Sequence, residues 1–348
     1  MFSNLRSLIF RLDPETAHSL AIKSLKLNLV PNILDRDKNN PLFKAKLFNK
    51  YLENPIGMAA GFDKNAEVYN SLFKIGFGFV EVGTITPLKQ YGNHKPRVFR
   101  LVEDEALINR LGFNNLGSQN IVERIKSNNQ IGLLGINIGP NKDTVNRLND
   151  YIECLKIFYE VADYITINIS SPNTEELRSF HEQKKLNDLL ETIEKEKKIL
   201  NSKVPIVVKV SPDINDQEIN KVSEVLLNNN IETIIISNTS DSTRENLRSP
   251  LSHQKGGLSG KPIEKKSNML ISKFHKILKR RIKIIGVGGV DSGKSAYEKF
   301  LAGADFIQLY TGMVFKGPNI VNMIKKELKE LLLKDGVKNY TEIVGKKG

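Results

Sequence analysis

Two lysines, one serine and a scatter of asparagines are the residues through which this chain could do chemistry. Lys209 lies in Ile206-Val207-Val208-Lys209-Val210, a run that is otherwise apolar. An ammonium placed there is costly to bury unless negative charge meets it. Lys64 closes Ala59-Ala60-Gly61-Phe62-Asp63-Lys64, where it could pair with an anionic ligand or only with Asp63 and solvent. Asn109, Asn114, Asn115, Asn137, Asn168, Asn173 and Asn238 each offer one acceptor and two donors in a plane. Any of them alone could merely cap a helix or close a turn. Gathered in one pocket, they suit a flat ligand edged with alternating carbonyl and N–H groups: a pyrimidine, an imide or a flavin. Gly288-Gly289 and Thr311-Gly312, with the helix start Asp291-Ser292-Gly293, could offer free backbone N–H groups to one phosphate. No Gly-x-Gly-x-x-Gly follows the first strand, so one phosphate beside a planar slot indicates FMN rather than a dinucleotide. Ser171, in Ser170-Ser171-Pro172-Asn173-Thr174, has no His or carboxylate beside it and would be a poor nucleophile. As a base acting on a C–H bond it would need only geometry and a route for its own proton.

Such residues need a frame that brings them together. From Pro55 onward, short apolar runs alternate with helical stretches. The pattern predicts strands over Ile56–Ala60, Phe79–Thr84, Leu133–Ile138, Tyr164–Ile169, Ile206–Val210, Thr233–Ser237, Lys283–Val287 and Phe306–Leu309. It predicts helices over 65–75, 116–127, 146–160, 184–200, 216–229, 264–279, 292–302 and 319–334. Strands apolar on consecutive positions are parallel strands buried on both faces. Eight strand–helix units make the fold class α/β, a closed (β/α)8 TIM barrel, with a doubly wound open sheet as the alternative. The chemistry of such a barrel gathers at the carboxyl ends of its strands, and nearly every residue named above falls there. Segments 85–115 and 239–263 are too long for simple connections and are expected to have a function.

The start of the chain follows another pattern. Leu5, Leu8, Ile9 and Leu12 form one helical stripe, and Asp13-Pro14-Glu15 restarts a helix with Asp as N-cap. The second helix carries Ala17, Leu20, Ala21, Ile22, Leu25, Leu27, Leu29 and Val30, apolar over more than half its circumference, until Pro31 stops it. Residues 1–38 therefore read as a helical hairpin, either packed on the barrel or dipping into a membrane surface. The barrel is assigned to 39–336, and 337–348 reads as a polar tail that frays.

The 348 residues carry 52 Lys and Arg against 39 Asp and Glu, a net charge of +13. Such a balance suits nucleic acid, an anionic membrane face or an anionic substrate, and equally a solvated lysine surface. One cysteine, Cys154, excludes an internal disulfide and a multi-cysteine metal site, and the five histidines lack ligand spacing, so no metal is expected. No run approaches the roughly 18 apolar residues of a spanning helix, and no cleavable leader is visible, which indicates a chain kept in a reducing cytoplasm.

Five segments, in this order, carry a resemblance across essentially the whole chain: Ala59-Ala60-Gly61-Phe62-Asp63-Lys64; Asn109-Arg110-Leu111-Gly112-Phe113-Asn114-Asn115; Asn168-Ile169-Ser170-Ser171-Pro172-Asn173-Thr174; Gly256-Gly257-Leu258-Ser259-Gly260; and Gly286-Val287-Gly288-Gly289-Val290. Together they resemble the dihydroorotate dehydrogenases, and Leu12-Asp13-Pro14-Glu15-Thr16-Ala17-His18 resembles the N-terminal extension of the membrane-associated, quinone-using class 2. The resemblance implies oxidation of dihydroorotate to orotate in de novo pyrimidine synthesis, with one non-covalent FMN per chain and a membrane quinone as electron acceptor. It implies that Ser171, where class 1 relatives have Cys, is the base that takes the C5 proton while hydride leaves C6, with Thr174 and Phe113 beside the proton's exit.

The same resemblance puts orotate on Lys64, Asn109, Arg110, Leu111, Gly112, Phe113, Asn168, Asn173, Asn238 and Thr239. It puts FMN on Ala60, Gly61, Phe62, Asp63, Lys64, Thr84, Asn137, Asn168, Lys209, Ser237, Gly260, Gly289, Tyr310 and Thr311. Residues 175–187, with Arg178 and His181, correspond to a lid over the site, and His18 and Arg100 to the quinone channel. Ser237 departs from the family's usual Thr, with little effect expected. The hairpin then becomes the mouth of a quinone tunnel, on a monomeric enzyme held peripherally at the cytoplasmic face of the cell membrane, without a nucleic-acid partner. The alternatives are an FMN barrel that reduces uracil rings in tRNA, which would want a further RNA-binding domain and a Cys acid in the lid, and a non-catalytic membrane-binding barrel.

Overall fold

The computed structural model describes residues 2–29, 37–173, 177–242 and 244–347. Eight parallel strands close a barrel in chain order: β1 (Ile56–Met58), β2 (Phe79–Ile85), β3 (Leu133–Ile138), β4 (Tyr164–Asn168), β5 (Ile206–Val210), β6 (Thr233–Ile236), β7 (Lys283–Val287) and β8 (Phe306–Leu309). Ile307 to Leu309 of β8 pair with Ile56 to Met58 of β1, which removes any free edge. Every residue of β2, β3, β4, β5 and β6 is buried, as strands covered on both faces require. The open-sheet alternative is thereby excluded. Strands expected to run on through Ala60, Ile169 and Ser237 end one or two residues earlier, where the chain turns into the loops of the site.

Helices return the chain from each strand to the next, including Ser118–Lys126, Arg147–Phe158, Gln183–Ile199, Asp216–Asn228, Glu264–Leu278, Gly293–Leu301 and Ile320–Lys334. Asn215 and Glu218 form a reciprocal capping box on the Asp216–Asn228 helix.

Two small sheets have no counterpart among the expected elements. Ala45–Leu47 and Lys50–Leu52 form an antiparallel hairpin at the amino ends of the barrel strands, where Phe48 stacks 5.5 Å from Tyr164 and Lys283 Nζ donates to the Lys46 carbonyl. Val98–Leu101, Ala106–Asn109 and Gly257–Gly260 form an antiparallel sheet. This sheet is built from the two long segments, 85–115 and 239–263, so those loops meet over one end of the barrel.

The N-terminal segment is a pair of helices, Phe2–Ile9 and Pro14–Lys26, the second capped by Asp13 Oδ1 on the amides of Glu15 and Thr16. That helix was expected to continue to Val30; it ends at Lys26, and Asn28 adopts a left-handed conformation (φ 53°). Residues 30–36 lie outside the described residues. The segment expected to fray at the other terminus packs down instead. Tyr340, Ile343 and Val344 are buried, the Tyr340 hydroxyl donates to the Asp305 carbonyl, and Asn339 Nδ2 donates to the carbonyls of Pro41 and Lys44. These apolar side chains, with buried Val337, anchor it among the polar ones and outweigh the composition of the rest.

Candidate active site

The carboxyl ends of the strands and the three-stranded sheet enclose a cavity. Its wall includes Ala60, Gly61, Lys64, Thr84, Asn109, Leu111, Gly112, Phe113, Asn168, Ser171, Asn173, Lys209, Ser237, Asn238, Thr239, Gly260, Gly289, Tyr310 and Thr311. Most of the predicted site residues are thus brought to one place, from seven strand ends and both long loops.

Lys209 is 5 % exposed, and among the described residues nothing accepts a hydrogen bond from its ammonium. Burial pushes its pKa down and the Glu81 carboxylate pulls it back up. Register places it directly beside Asn168 on the neighbouring strand. Lys64 Nζ donates to the Gly61 carbonyl at 2.7 Å, and burial lowers its pKa to about 8 against the opposing pull of Glu15.

The asparagines divide into two kinds. Asn168 accepts from the amide and hydroxyl of Ser170 and donates to Thr84 and Asn137, and Asn238 Nδ2 donates to Ser170 Oγ at 2.8 Å. Asn173 Nδ2 donates to the Asn109 carbonyl, and Asn109 Nδ2 to the Gly257 carbonyl, which ties the Ser171 loop to the three-stranded sheet. Asn114 lines the cavity with a buried Oδ1 that has no partner. Asn115, by contrast, is fully used in holding its own loop: it accepts from the Gly117 amide and donates to Thr86 and to the Phe113 carbonyl. It is the turn-closing residue that any single asparagine might have been.

Ser171 is buried and lines the cavity, and its Oγ accepts from the Asn173 amide at 3.2 Å. Phe113 stands in the left-handed region (φ 53°) with its ring against Gly139, where a Cβ would lie 3.2 Å from it. Thr174 lies outside the described residues, as do 175 and 176 of the expected lid.

Several expected site residues stand back from the cavity. Asp63 accepts from the amides of Glu67 and Val68 and organises the turn after β1; burial raises its pKa. Phe62 packs edge-on against Tyr310 and His18, at 5.7 and 5.2 Å between ring centres. Arg110 turns outward, donating to Gln254, Lys255 and Pro96 and lying 4.5 Å over Phe99. Asn137 is fully buried one layer below, between Thr84 and Glu81.

One part of the expected anion cup is corrected. The start of the Gly293–Leu301 helix was expected to face the phosphate, but its amides are taken: Ser292 and Ser295 cap it, and the Gly293 amide donates to Glu327 at 2.7 Å. The short helix Thr311–Lys316 begins on the cavity instead, with no side chain capping its first amides. Gly289 (φ 78°) turns the β7 loop tightly enough that a Cβ would strike Glu264. A Cβ on Gly312 would lie 2.4 Å from the Val290 carbonyl, so the β7 and β8 loops close up side by side.

On the hairpin side, His18 is held neutral: burial, then the Lys64 charge, lower its pKa to about 3. Arg100 donates to the Phe10 and Leu12 carbonyls, lies 4.3 Å over the Phe10 ring, and keeps a buried Nε with no partner. Phe10 and Phe315 meet edge-on at 5.4 Å, and Phe315 reaches the cavity wall. In the lid segment, Arg178 pairs with Asp213 and Asp241, and buried His181 Nε2 accepts from the Ser211 amide. Burial and Arg178 lower the His181 pKa to about 4.

Two features went unforeseen. Val98, Leu107 and Ser259 of the small sheet form a cavity wall, and Glu81, with Gln308, lies buried beneath the cavity floor. Glu81 carried the same signal as Lys209, a charge inside an apolar strand, but it falls mid-strand rather than at a strand end.

Comparison with known proteins gives the family. Residues 42–332 match the family dihydroorotate dehydrogenase. The chain is similar to dihydroorotate dehydrogenase (quinone) of Bartonella tribocorum, 46% identical over 343 residues covering 97% of this chain and 94% of that one. It is 42% identical to the protein of the same description from Agrobacterium fabrum, covering 99% of this chain and 95% of the relative. Among solved structures it resembles that of DHODH from Eimeria tenella in complex with ferulenol, with a TM-score of 0.92 and 36% identity over 96% of this chain and 95% of the other.

Proposed function

This chain belongs to the dihydroorotate dehydrogenase family, in its quinone-dependent class, and from that premise we propose how its residues divide the reaction. The enzyme oxidises dihydroorotate to orotate in pyrimidine biosynthesis and passes the electrons to a quinone. The family is flavin-dependent, and the flavin here is FMN, one per chain and non-covalent. The observation that carries this assignment is the Lys209 ammonium, buried at the end of β5 with no hydrogen-bond partner among the described residues and lining the cavity beside Asn168. It matches the electron-rich edge of an isoalloxazine, and the amides of Thr311 and Gly312 with the Gly289 turn match a single phosphate. When bound, the flavin supplies the two-electron acceptor for the hydride that leaves C6 and hands those electrons on to quinone.

The protein's own share of the chemistry is to bind, orient and move one proton. Lys64 meets the substrate carboxylate. Asn109, Asn173, Asn238 and Thr239, with the backbone of Leu111 to Phe113, fit the edges of the flat ring, and the unpartnered Asn114 oxygen adds an acceptor. Asn168 and Lys209 fit the cofactor edge, with Ala60, Gly61, Thr84, Ser237, Gly260 and Tyr310 around it. Ser171 takes the C5 proton on Oγ and releases its own hydroxyl proton past Phe113 and Thr174. Departure of hydride from C6 makes the C5 proton acidic, so a neutral serine suffices where no histidine stands. Phe62, Asp63 and Asn137 act by shaping the loops behind these groups.

The hairpin delivers the second substrate. Leu8, Leu20, Leu27 and Leu29 are 48 to 68 % exposed, an apolar face that suits the lipid surface from which a quinone comes. Neutral His18 and the spare Nε of Arg100 are the donors available to quinone carbonyls, and Phe10, Phe62, Tyr310 and Phe315 line the way inward. No helix among the described residues is long and apolar enough to cross a membrane, so the attachment proposed is peripheral, at the cytoplasmic face. The test is a flavin spectrum of the purified protein, bleached anaerobically by dihydroorotate and restored by a soluble quinone. A preparation that neither holds FMN nor takes it up refutes the assignment.

A further inference from the structure

Beneath the cavity, inside the barrel, lies a carboxylate that no step above uses. Glu81 is 0 % exposed. It accepts from Asn137 Nδ2 at 2.8 Å on one oxygen, and on the other from the Tyr164 hydroxyl at 3.0 Å, Thr166 Oγ1 at 3.2 Å and Gln308 Nε2 at 3.1 Å. The fold makes room for this. Gly135 lies opposite Glu81 in the β2–β3 register, and a Cβ there would collide with the Tyr164 ring that reaches over it. Gln308 is held with its Nε2 toward the carboxylate although its Oε1 is left buried without a partner. An acceptor-only group dictates that orientation, because the turned amide would set oxygen against oxygen.

From Glu81 a chain of hydrogen bonds climbs to the cavity, and every donor in it points down. Asn238 Nδ2 donates to Ser170 Oγ, and Ser170 Oγ to Asn168 Oδ1 at 2.7 Å. Asn168 Nδ2 donates to Thr84 Oγ1 at 2.9 Å, Thr84 Oγ1 to Asn137 Oδ1 at 2.6 Å, and Asn137 Nδ2 to Glu81. Each of these side chains could serve in either sense, and fixed groups at the two ends choose one: above, the backbone amides of Ser170 and Thr239 donate to the oxygens of Asn168 and Asn238, and below, Glu81 accepts. We propose that Glu81 is a positioning residue of the site: as the acceptor at the foot of this chain it holds, together with the Ser170 and Thr239 amides at the top, the faces that Thr84, Asn168 and Asn238 turn to the ligands. The inference rests on the flavin and orotate reading above.

The test uses the FMN-loaded enzyme, with orotate affinity read from the perturbed flavin spectrum, FMN content from released flavin, and folding from thermal unfolding. Glu81→Gln keeps an oxygen toward Asn137 and turns its NH2 toward Gln308 Oε1, Tyr164 and Thr166, which can accept; orotate affinity is expected within about twofold of the parent. Glu81→Asp keeps the charge but withdraws the oxygen by one methylene, and is expected to weaken orotate about fivefold with FMN retained. Glu81→Leu removes the acceptor altogether and should weaken orotate about tenfold or more. If the leucine variant fails to fold, the Asp and Gln pair decides alone. Parent-like binding in the Asp variant, or loss in the Gln variant equal to or greater than that in the Asp variant, overturns the inference. A parent enzyme that binds neither FMN nor orotate would instead overturn the functional reading on which it stands.

Discussion

The floor of the cavity and the N-terminal hairpin obey opposite rules. On the floor, Glu81, Asn137, Thr84 and Asn168 are buried, mutually bonded and drawn from consecutive barrel strands, so moving one moves all. The hairpin is a separate element with several leucines in solvent, joined to the barrel at a few points. Those points are specific. Arg97 grips Glu15 with Nε and Nη2 at 2.9 to 3.1 Å, Arg100 holds the carbonyls of Phe10 and Leu12, Ser71 Oγ donates to the Leu25 carbonyl, and Lys26 pairs with Glu67. On the division proposed above, substrate oxidation rests on preorganised polar groups, whereas quinone delivery rests on an apolar element docked in the right place.

The largest break in that comparison should come from Ser171→Ala. Flavin reduction by dihydroorotate is expected to slow by about 10² to 10⁴, with orotate affinity nearly unchanged, as stopped-flow and equilibrium titration would show. Removing residues 1–38 should do the reverse. Anaerobic bleaching by dihydroorotate survives, while quinone-linked turnover falls at least about tenfold and co-sedimentation with anionic vesicles is lost. Equal loss of both half-reactions would refute the division.

Arg97→Met sharpens the same point with one side chain. It leaves Glu15 without its partner in a partly buried place, costing on the order of 2 kcal/mol of docking energy. The quinone KM should rise severalfold with the reductive half-reaction intact. The smallest effect is one of pH. With its pKa lowered to about 8, Lys64 sheds its charge as pH rises through that value, so orotate affinity should fall severalfold between about pH 7 and about pH 9. The folded state holds fewer protons than the unfolded one between about 8 and 10.5, so Lys64 makes folding less favourable below that window and this cost disappears as pH rises through it. A Lys64→Met enzyme should lack this step in its titration.

The barrel was legible because its strands are short apolar runs at regular spacing, and Asn168 and Lys209 stood out because polar groups at the ends of such runs need a reason. Glu81 and Gln308 were not legible as a pair. They lie 227 positions apart, and only closure of the barrel brings β8 back beside β1 and β2. The three-stranded sheet was hidden likewise: Asn109 pairs with Gly257, and neither loop alone alternates over enough residues to declare a strand. One part of the expected anion cup was not legible: Ser292 and Gly293 look available until Ser295 and Glu327 are seen to occupy their amides. The tail misled for a similar reason, its few apolar residues being diluted by lysines.

That docked tail gives the barrel a seam. The Tyr340 amide bonds the Leu42 carbonyl at 3.0 Å, so the first and last turns of the barrel unit are stitched together and the hairpin hangs outside the stitch. A gene cut at an exposed turn and rejoined across 42 and 340 should still make a working dehydrogenating ring, while the hairpin becomes a module that can be transplanted onto it or left off.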